Sequence, residues 1–353
     1  MAGMTLLFPS PASTLAKRTT RMMLRRKDDS FVTHGMKSKS SLPPLSPYFS
    51  NGFGKIVKMA GEELWKLLER RERHIFCENF KIRSYDMGPN RTASIESLMN
   101  LLQETALNHI KSMGMMKDGL GSTSEMSRRN LIWVFYKMHI VVDHYPSWGD
   151  DIQVETWLIP SETNGERLGW IIHDCKTGKI LTRATSVCVM MNKETRKISK
   201  IPEEVSREWK TYYMECPPIS IPDDEDDGSR IAKFDYNRMD YVRTGLTPRW
   251  NDLDANQHMN NVKYIGLMLE SVPVSMLKRH EICEIEIEYR RECGMDAVLE
   301  SLTSCACSTT SQATDECLVG VDGGGGHHQE CFHLLRFENG AVVARGRTKW
   351  RAK

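Results

Sequence analysis

The chain has 353 residues, 40% of them hydrophobic and 27% charged, enough to bury one large core or two of ordinary size and too apolar for global disorder. No run approaches the ~18 consecutive apolar residues of a membrane-spanning helix. The formal net charge is +2, but residues 1–59 hold ten Lys or Arg against Asp28 and Asp29, so the remainder is net acidic and a globally basic nucleic-acid binder is excluded.

The basic N-terminus is also rich in Ser and Thr (Ser10, Ser13, Thr14, Thr19, Thr20, Ser38, Ser40, Ser41). Organelle transit peptides have this composition, which avoids negative charge and folds poorly alone. A plain disordered tail is the alternative, and composition does not choose between plastid and mitochondrion. Pro, Gly and Ser over 42–58 read as linker, so 1–59 is assigned to transit peptide and linker. Residues 60–74 predict a short charged helix ahead of the folded core. Next comes a segment over 75–201. Its amphipathic helix carries Ile95, Leu98, Met99, Leu102, Ala106, Ile110 and Met113 at helical spacing, with Gly114 placed to end it. Strands are predicted over 131–142, 151–158, 170–174 and 179–191. Residues 202–240 combine prolines with the acidic run 223–227 and read as an interdomain linker without strand or helix. In 241–353 a second helix begins near Asn260, carries Val262, Ile265, Leu269 and Val272, and stops before Pro273. Strands are then predicted over 284–290, 297–304, 332–337 and 341–349. The ten cysteines form no CxxC pair, which predicts free thiols in a reducing compartment.

The two long segments repeat one another. RSYDMGPN (83–90) aligns with RWNDLDAN (249–256), and Glu104 then falls opposite Glu270. WGDDIQVE (148–155) aligns with CGMDAVLE (293–300), and GKILTRATSVC (178–188) with GAVVARGRTKW (340–350). One helix followed by several antiparallel strands predicts a sheet wrapped around that helix. The expected fold class is α+β, a tandem double hotdog.

The densest polar cluster lies before the second helix: Asp254, Asn256 and His258. In extended backbone these side chains point the same way, and the helix start beyond them offers free N–H groups to negative charge. A base beside an oxyanion site is what thioester hydrolysis requires. The plainer reading is a turn full of capping residues. Against it, the first half has Gly88, Asn90 and Thr92 at these places. A second cluster holds Glu292 and Cys293, with PSWG (146–149) as its first-half equivalent. Cys293 is either a nucleophile or a packing residue, and Glu292 orients His258 or a water.

The segments NRTASIESLMNLLQETALNH, NLIWV, YPSWGD, VMMNKETRKISKIPEEV, LTPRWNDLDANQHMNNVKYIG and EYRRECG resemble the plant acyl–acyl-carrier-protein thioesterases, closest to the class preferring saturated chains. The resemblance covers residues 78–353. It implies two hotdog domains, with much of the acyl pocket in 75–201 and the catalytic residues Asp254, Asn256, His258, Glu292 and Cys293 in 241–353. It implies an acyl carrier protein bearing a fatty chain as partner, a plastid address, no cofactor, and a homodimer. Both a Cys nucleophile and a carboxylate-based mechanism have been proposed for such enzymes; the second is favoured here. The family's Arg-Asp-Trp is Leu168-Gly169-Trp170, and its Trp at 188 and 267 is Cys188 and Leu267, which predicts an altered pocket. Arg128, Arg129, Arg196 and Lys197 are the candidate basic patch for the carrier. His327 and His328 sit in a Gly-rich loop and predict no metal site. An acyl-CoA thioesterase and a catalytically weak acyl-binding protein are the competing functions.

Overall fold

The computed structural model describes residues 74–116, 121–159, 165–214, 217–218, 221, 231, 234–306 and 328–353. The transit peptide, nearly all of the helix expected over 60–74, the acidic run and His327 lie outside them.

The described residues contain eleven strands: β1 (Phe76–Lys81), β2 (Leu131–Val142), β3 (Asp151–Ile159), β4 (Glu166–Asp174), β5 (Ile180–Asn192), β6 (Ile198–Ser199), β7 (Tyr241–Leu246), β8 (His280–Tyr289), β9 (Leu299–Ala306), β10 (Gln329–Phe337) and β11 (Val342–Ala352), with buried and open positions alternating most clearly along β1, β3 and β5. They form one antiparallel sheet in the order β1-β3-β4-β5-β2-β8-β11-β10-β9-β7, with β6 beside β5. Read outward from the β2–β8 pair, the order is the same in both directions: this is the double hotdog. Helix α1 (Ile95–Ser112) lies inside the first half. Ser94 Oγ caps it by accepting the Ser97 N–H at 3.1 Å. Leu98, Met99, Leu102, Ala106 and Ile110 are its buried stripe, and Gly114 ends it at φ +71.

Several elements differ from expectation. β1 and β7 were not predicted. Helix α2 (Ser124–Arg128) precedes β2, and helix α3 (Glu203–Lys210) stands inside the supposed linker, burying Val205 and Trp209. The second central helix, α4 (Lys263–Leu269), is shorter than the apolar spacing implies. Pro273 opens a further short helix, α5 (Val274–Arg279). Gly266 of α4 faces α1 at Glu96, whose side-chain carboxylate a Cβ there would displace. The expectation of free thiols holds for Cys77, Cys175, Cys188, Cys283 and Cys293. It fails at Cys305 and Cys331, which stand directly opposite on β9 and β10 and are disulfide-bonded. Only the strand register, invisible in sequence spacing, brings them together.

At the seam, Lys137 faces Glu288, His139 faces Glu286 and Ile140 faces Ile285. Met138, Ile140, Ile285 and Ile287 join a common core. On the other face Arg347, 1% exposed, reaches Glu284 and Glu286 at 2.7 Å each and Glu330 at 3.0 Å. Lys137 meets Glu286 at 3.3 Å and Lys349 meets Glu284 at 2.8 Å. Ligand-type atoms of His139, Glu284 and Glu286 lie within 4.8 Å of one another, but these cations already lie against the carboxylates, so the group is an ion-pair network. Removing one partner strands the others in low dielectric. Arg347→Met is expected to cost about 3–5 kcal/mol in urea unfolding, whereas Lys81→Met, at an exposed pair with Asp151, is expected to leave the urea midpoint unchanged.

Candidate active site

The loop before α4 is a tight turn and not the extended strand the alternation argument assumed. Leu253 and Met259 bridge across it. The Asp254 N–H donates to His258 O at 2.7 Å, the Gln257 N–H to Asp254 O at 3.0 Å, and Gln257 sits at φ 63. The first half repeats this backbone. The Gly88 N–H donates to Thr92 O at 2.8 Å, the Arg91 N–H to Gly88 O at 3.1 Å, and Arg91 sits at φ 62. The turn is therefore a requirement of the fold, and only its second copy carries a carboxylate and an imidazole.

Asp254 Oδ1 accepts the Asn256 N–H at 2.8 Å and the His258 N–H at 3.2 Å, bracing the turn. His258 Nδ1 lies 2.9 Å from Asn256 O. A carbonyl only accepts, so Nδ1 carries the proton and Nε2 of the neutral ring has a free lone pair. The Met259 N–H donates to Cys293 O at 2.8 Å. This bond pins the turn to the segment after β8 and sets His258 Nε2 3.8 Å from Glu292 Oε2, a gap too long for a direct hydrogen bond. Asn256 is exposed. In the first half the matching bond runs from the Ala93 N–H to Pro146 O. Cys293 thus corresponds to Pro146, two residues from the pairing with Trp148 that the sequence alignment implied.

Cys293 is 1% exposed, and burial, outweighing help from Tyr264, pushes its thiol up to about 11. The helix N-terminus is less available than expected. α4 begins only at Lys263, and Asn260 accepts the Val262 N–H on Oδ1 and the Lys263 N–H on its carbonyl. Three of the four residues expected to meet a carrier are engaged within the chain: Arg128 with Glu125, Arg129 with Glu125 and Glu204, and Arg196 with Glu292. The pairing of Arg196 with Glu292 had no sequence signal beyond a basic run, because it depends on how the two halves meet.

From the site a row of inward residues crosses the first sheet. The Tyr289 O–H donates to Asn261 O at 3.1 Å. Cys188 stands opposite Glu166. Three strand spacings put Glu166 about 14 Å from Tyr289. Leu168 is buried on the same face; Gly169 points outward, where a Cβ would lie 2.6 Å from the Trp157 ring.

Residues 73–209 match the acyl-ACP thioesterase N-terminal domain and residues 237–352 the acyl-ACP thioesterase C-terminal domain. A palmitoyl-acyl carrier protein thioesterase of Cuphea hookeriana, named as chloroplastic, is 51% identical over 315 residues, covering 84% of this chain and 71% of that protein. The chain belongs to the acyl-ACP thioesterase family. The Arabidopsis thaliana protein of the same name is 48% identical, with 84% and 73% covered. The solved 12:0-ACP thioesterase of Umbellularia californica superposes with a TM-score of 0.70 at 44% identity, covering 79% of this chain and 95% of that one.

Within this family member Glu166 is an unusual interior group. The Tyr213 O–H donates to its Oε1 at 2.5 Å, Oε2 is buried without a hydrogen-bond partner, and burial pushes the carboxyl from 4.5 up to about 7. The folded state therefore holds this proton where the unfolded chain has released it, so stability falls as pH rises from about 4.5 through about 7 and is level above. A shift of that size corresponds to about 3 kcal/mol. Glu166→Gln is expected to remove this slope. Urea unfolding of both proteins from pH 4.5 to 8 checks it: parallel curves would show that Glu166 does not titrate in this window.

Proposed function

We propose that the chain hydrolyses the thioester of saturated fatty acyl–acyl carrier protein in the plastid, releasing free fatty acid and ending chain elongation, with His258 as the base that activates water. The observation that carries this reading is the His258–Glu292 pair, built on a turn that both halves share but that only the second furnishes with reactive groups. The family and its relatives' names supply the substrate class, and the acid-poor, Ser/Thr-rich N-terminus serves as transit peptide.

In this mechanism a water between Nε2 and the thioester carbon gives a proton to Nε2 as its oxygen attacks. Glu292 stabilises the imidazolium so formed. The carbonyl oxygen becomes an oxyanion held by the Asn256 side-chain amide. Collapse breaks the C–S bond, and the imidazolium gives its proton to the departing carrier thiolate, which leaves as the thiol. Asp254 keeps the turn rigid through its two backbone acceptances. A buried thiol pushed to about 11 is a poor nucleophile at neutral pH.

We assign the acyl chain to the first half. In the second, the interior is closed by a satisfied network. Ser271 Oγ meets Ser301 Oγ at 2.8 Å and Thr303 Oγ1 at 2.7 Å, and His333 bridges Thr303 and Thr348 at 2.9 and 2.8 Å. Burial pushes His333 down to about 3, so it is neutral there. The equivalent first-half positions are Thr156, Trp170 and Ser186 by strand register, in an interior otherwise lined by Leu98, Met99, Leu102, Met138 and Met190.

Saturated acyl carrier proteins of graded length, assayed beside matched acyl-CoAs, are expected to be cleaved faster than the CoA esters, with a peak at one length. Equal or better acyl-CoA turnover would overturn the carrier assignment, and binding without turnover would overturn hydrolysis. Cys293→Ala is expected to keep kcat within about threefold, whereas His258→Ala and Glu292→Gln each lose about 10²–10⁴-fold. A loss of that order in Cys293→Ala with the fold intact would restore the thiol as nucleophile.

A further inference from the structure

We propose that Arg196, on a turn of the first half, is a positioning residue for hydrolysis in the second: by gripping both oxygens of Glu292 it fixes Oε2 against His258. This rests on the reading of His258 as the base. The Arg196 guanidinium donates from Nε to Glu292 Oε2 at 2.9 Å and from a terminal nitrogen to Oε1. Oε2 is also the oxygen that faces His258 Nε2 at 3.8 Å. A planar, permanently charged fork holds a carboxylate in one orientation, which a single hydrogen bond does not.

The turn that carries Arg196 is built to hold it. Asn192 Oδ1 accepts the Glu194 N–H at 3.1 Å and the Thr195 N–H at 2.8 Å. The Arg196 N–H donates to Asn192 O at 2.9 Å, the Asn192 N–H to Lys197 O at 2.9 Å, and the Lys193 N–H to Asn130 O at 2.7 Å. Arg196 itself sits at φ 55, a left-handed conformation costly to a residue with a Cβ and kept only where surroundings enforce it. With both oxygens engaged, Glu292 acts as an anchor that orients and stabilises the imidazolium, and the proton of the attacking water goes to His258. The site is then completed by the half that does not carry its base.

The test uses the full chain acting on saturated acyl carrier protein. Arg196→Ala is expected to lower kcat about 30-fold, within the range a misplaced reacting group produces, with KM changed less than about twofold. Arg196→Lys, a point charge on a flexible stem, recovers only part of the rate. Added guanidinium restores turnover to Arg196→Ala but not to His258→Ala. Melting curves accompany each variant; if Arg196→Ala unfolds, Arg196→Lys decides, and full activity in it overturns the fork. Wild-type kcat in folded Arg196→Ala, or a loss confined to KM, overturns the proposal, the latter assigning Arg196 to carrier docking. If His258→Ala turns over normally, the base assignment fails instead. If His258→Ala is inactive while Arg196→Ala is normal, only the positioning role falls.

Discussion

The pairing of β2 with β8 is the constraint on which the rest of this structure depends. Among the described residues it is the one place where strands of the two halves hydrogen-bond, and it joins the six strands of the first half and the five of the second into a continuous sheet. Its inner face contributes Met138, Ile140, Ile285 and Ile287 to a common core. Its outer face is covered by charges that burial would make prohibitive without Arg347 and its carboxylate partners. Apolar residues of similar volume would also bury well there. A set of buried ions demands in addition that donors meet acceptors in one register, and a slip of one residue would break Lys137–Glu286 and expose the apolar face together.

That fixed register has consequences for the chemistry. His258 and Glu292 belong to different segments of the second half, tied by the Met259–Cys293 backbone bond, while Arg196 belongs to the first. A guanidinium reaching across from the turn after β5 to the segment after β8 needs both segments at a set distance, which the seam supplies. The same duplication that makes the fold also frees one copy of the turn. The backbone bonds of 88–92 and 254–258 agree to within 0.1 Å, so the turn itself does not require the reactive groups. Its Gly88 and Thr92 keep the turn and leave the chemistry out.

Much of the fold was legible because its signals are local. The spacing of Leu98, Met99, Leu102 and Ala106 marks a helix with an enclosed stripe, and β2 runs over the predicted residues, Leu131 to Val142. Edge strands β1 and β7 were missed, and β7 is almost wholly open to solvent, so neither half-buried alternation nor an apolar run announces it. α4 covers only Lys263–Leu269 of the predicted stretch, because a turn braced by Asn260, through its Oδ1 and its carbonyl, occupies the residues before it. The structure brings all five residues singled out from sequence into one neighbourhood, with Asn256, bonded to Asp254 and His258, its most exposed member and Cys293 its most buried. They converge through a tight turn, since extended backbone was the wrong premise. The Cys305–Cys331 bond and the Arg196–Glu292 grip were illegible for a common reason: each joins residues whose proximity is decided by register between strands or halves.

Among the described residues, buried polar atoms without a hydrogen-bond partner occur in both halves, but the two halves differ at the equivalent positions inside their sheets, and that difference fits the proposed division of labour. In the second half His333 has two ring nitrogens, and it ties Thr303 to Thr348. At the equivalent first-half position Trp170 offers one N–H, and Thr156, Trp170 and Ser186 each keep a buried polar atom without a hydrogen-bond partner. Glu166 adds a carboxyl oxygen in the same condition, and Arg196 adds a left-handed backbone. Each such feature costs stability, and natural proteins tolerate them mainly where function asks for something other than the best-closed core. On the proposed assignment, a half whose interior opens to admit a flexible acyl chain gains nothing from a network that holds its strands and helix fast. A half that keeps the proposed His258–Glu292 pair at a fixed separation gains from every such bond.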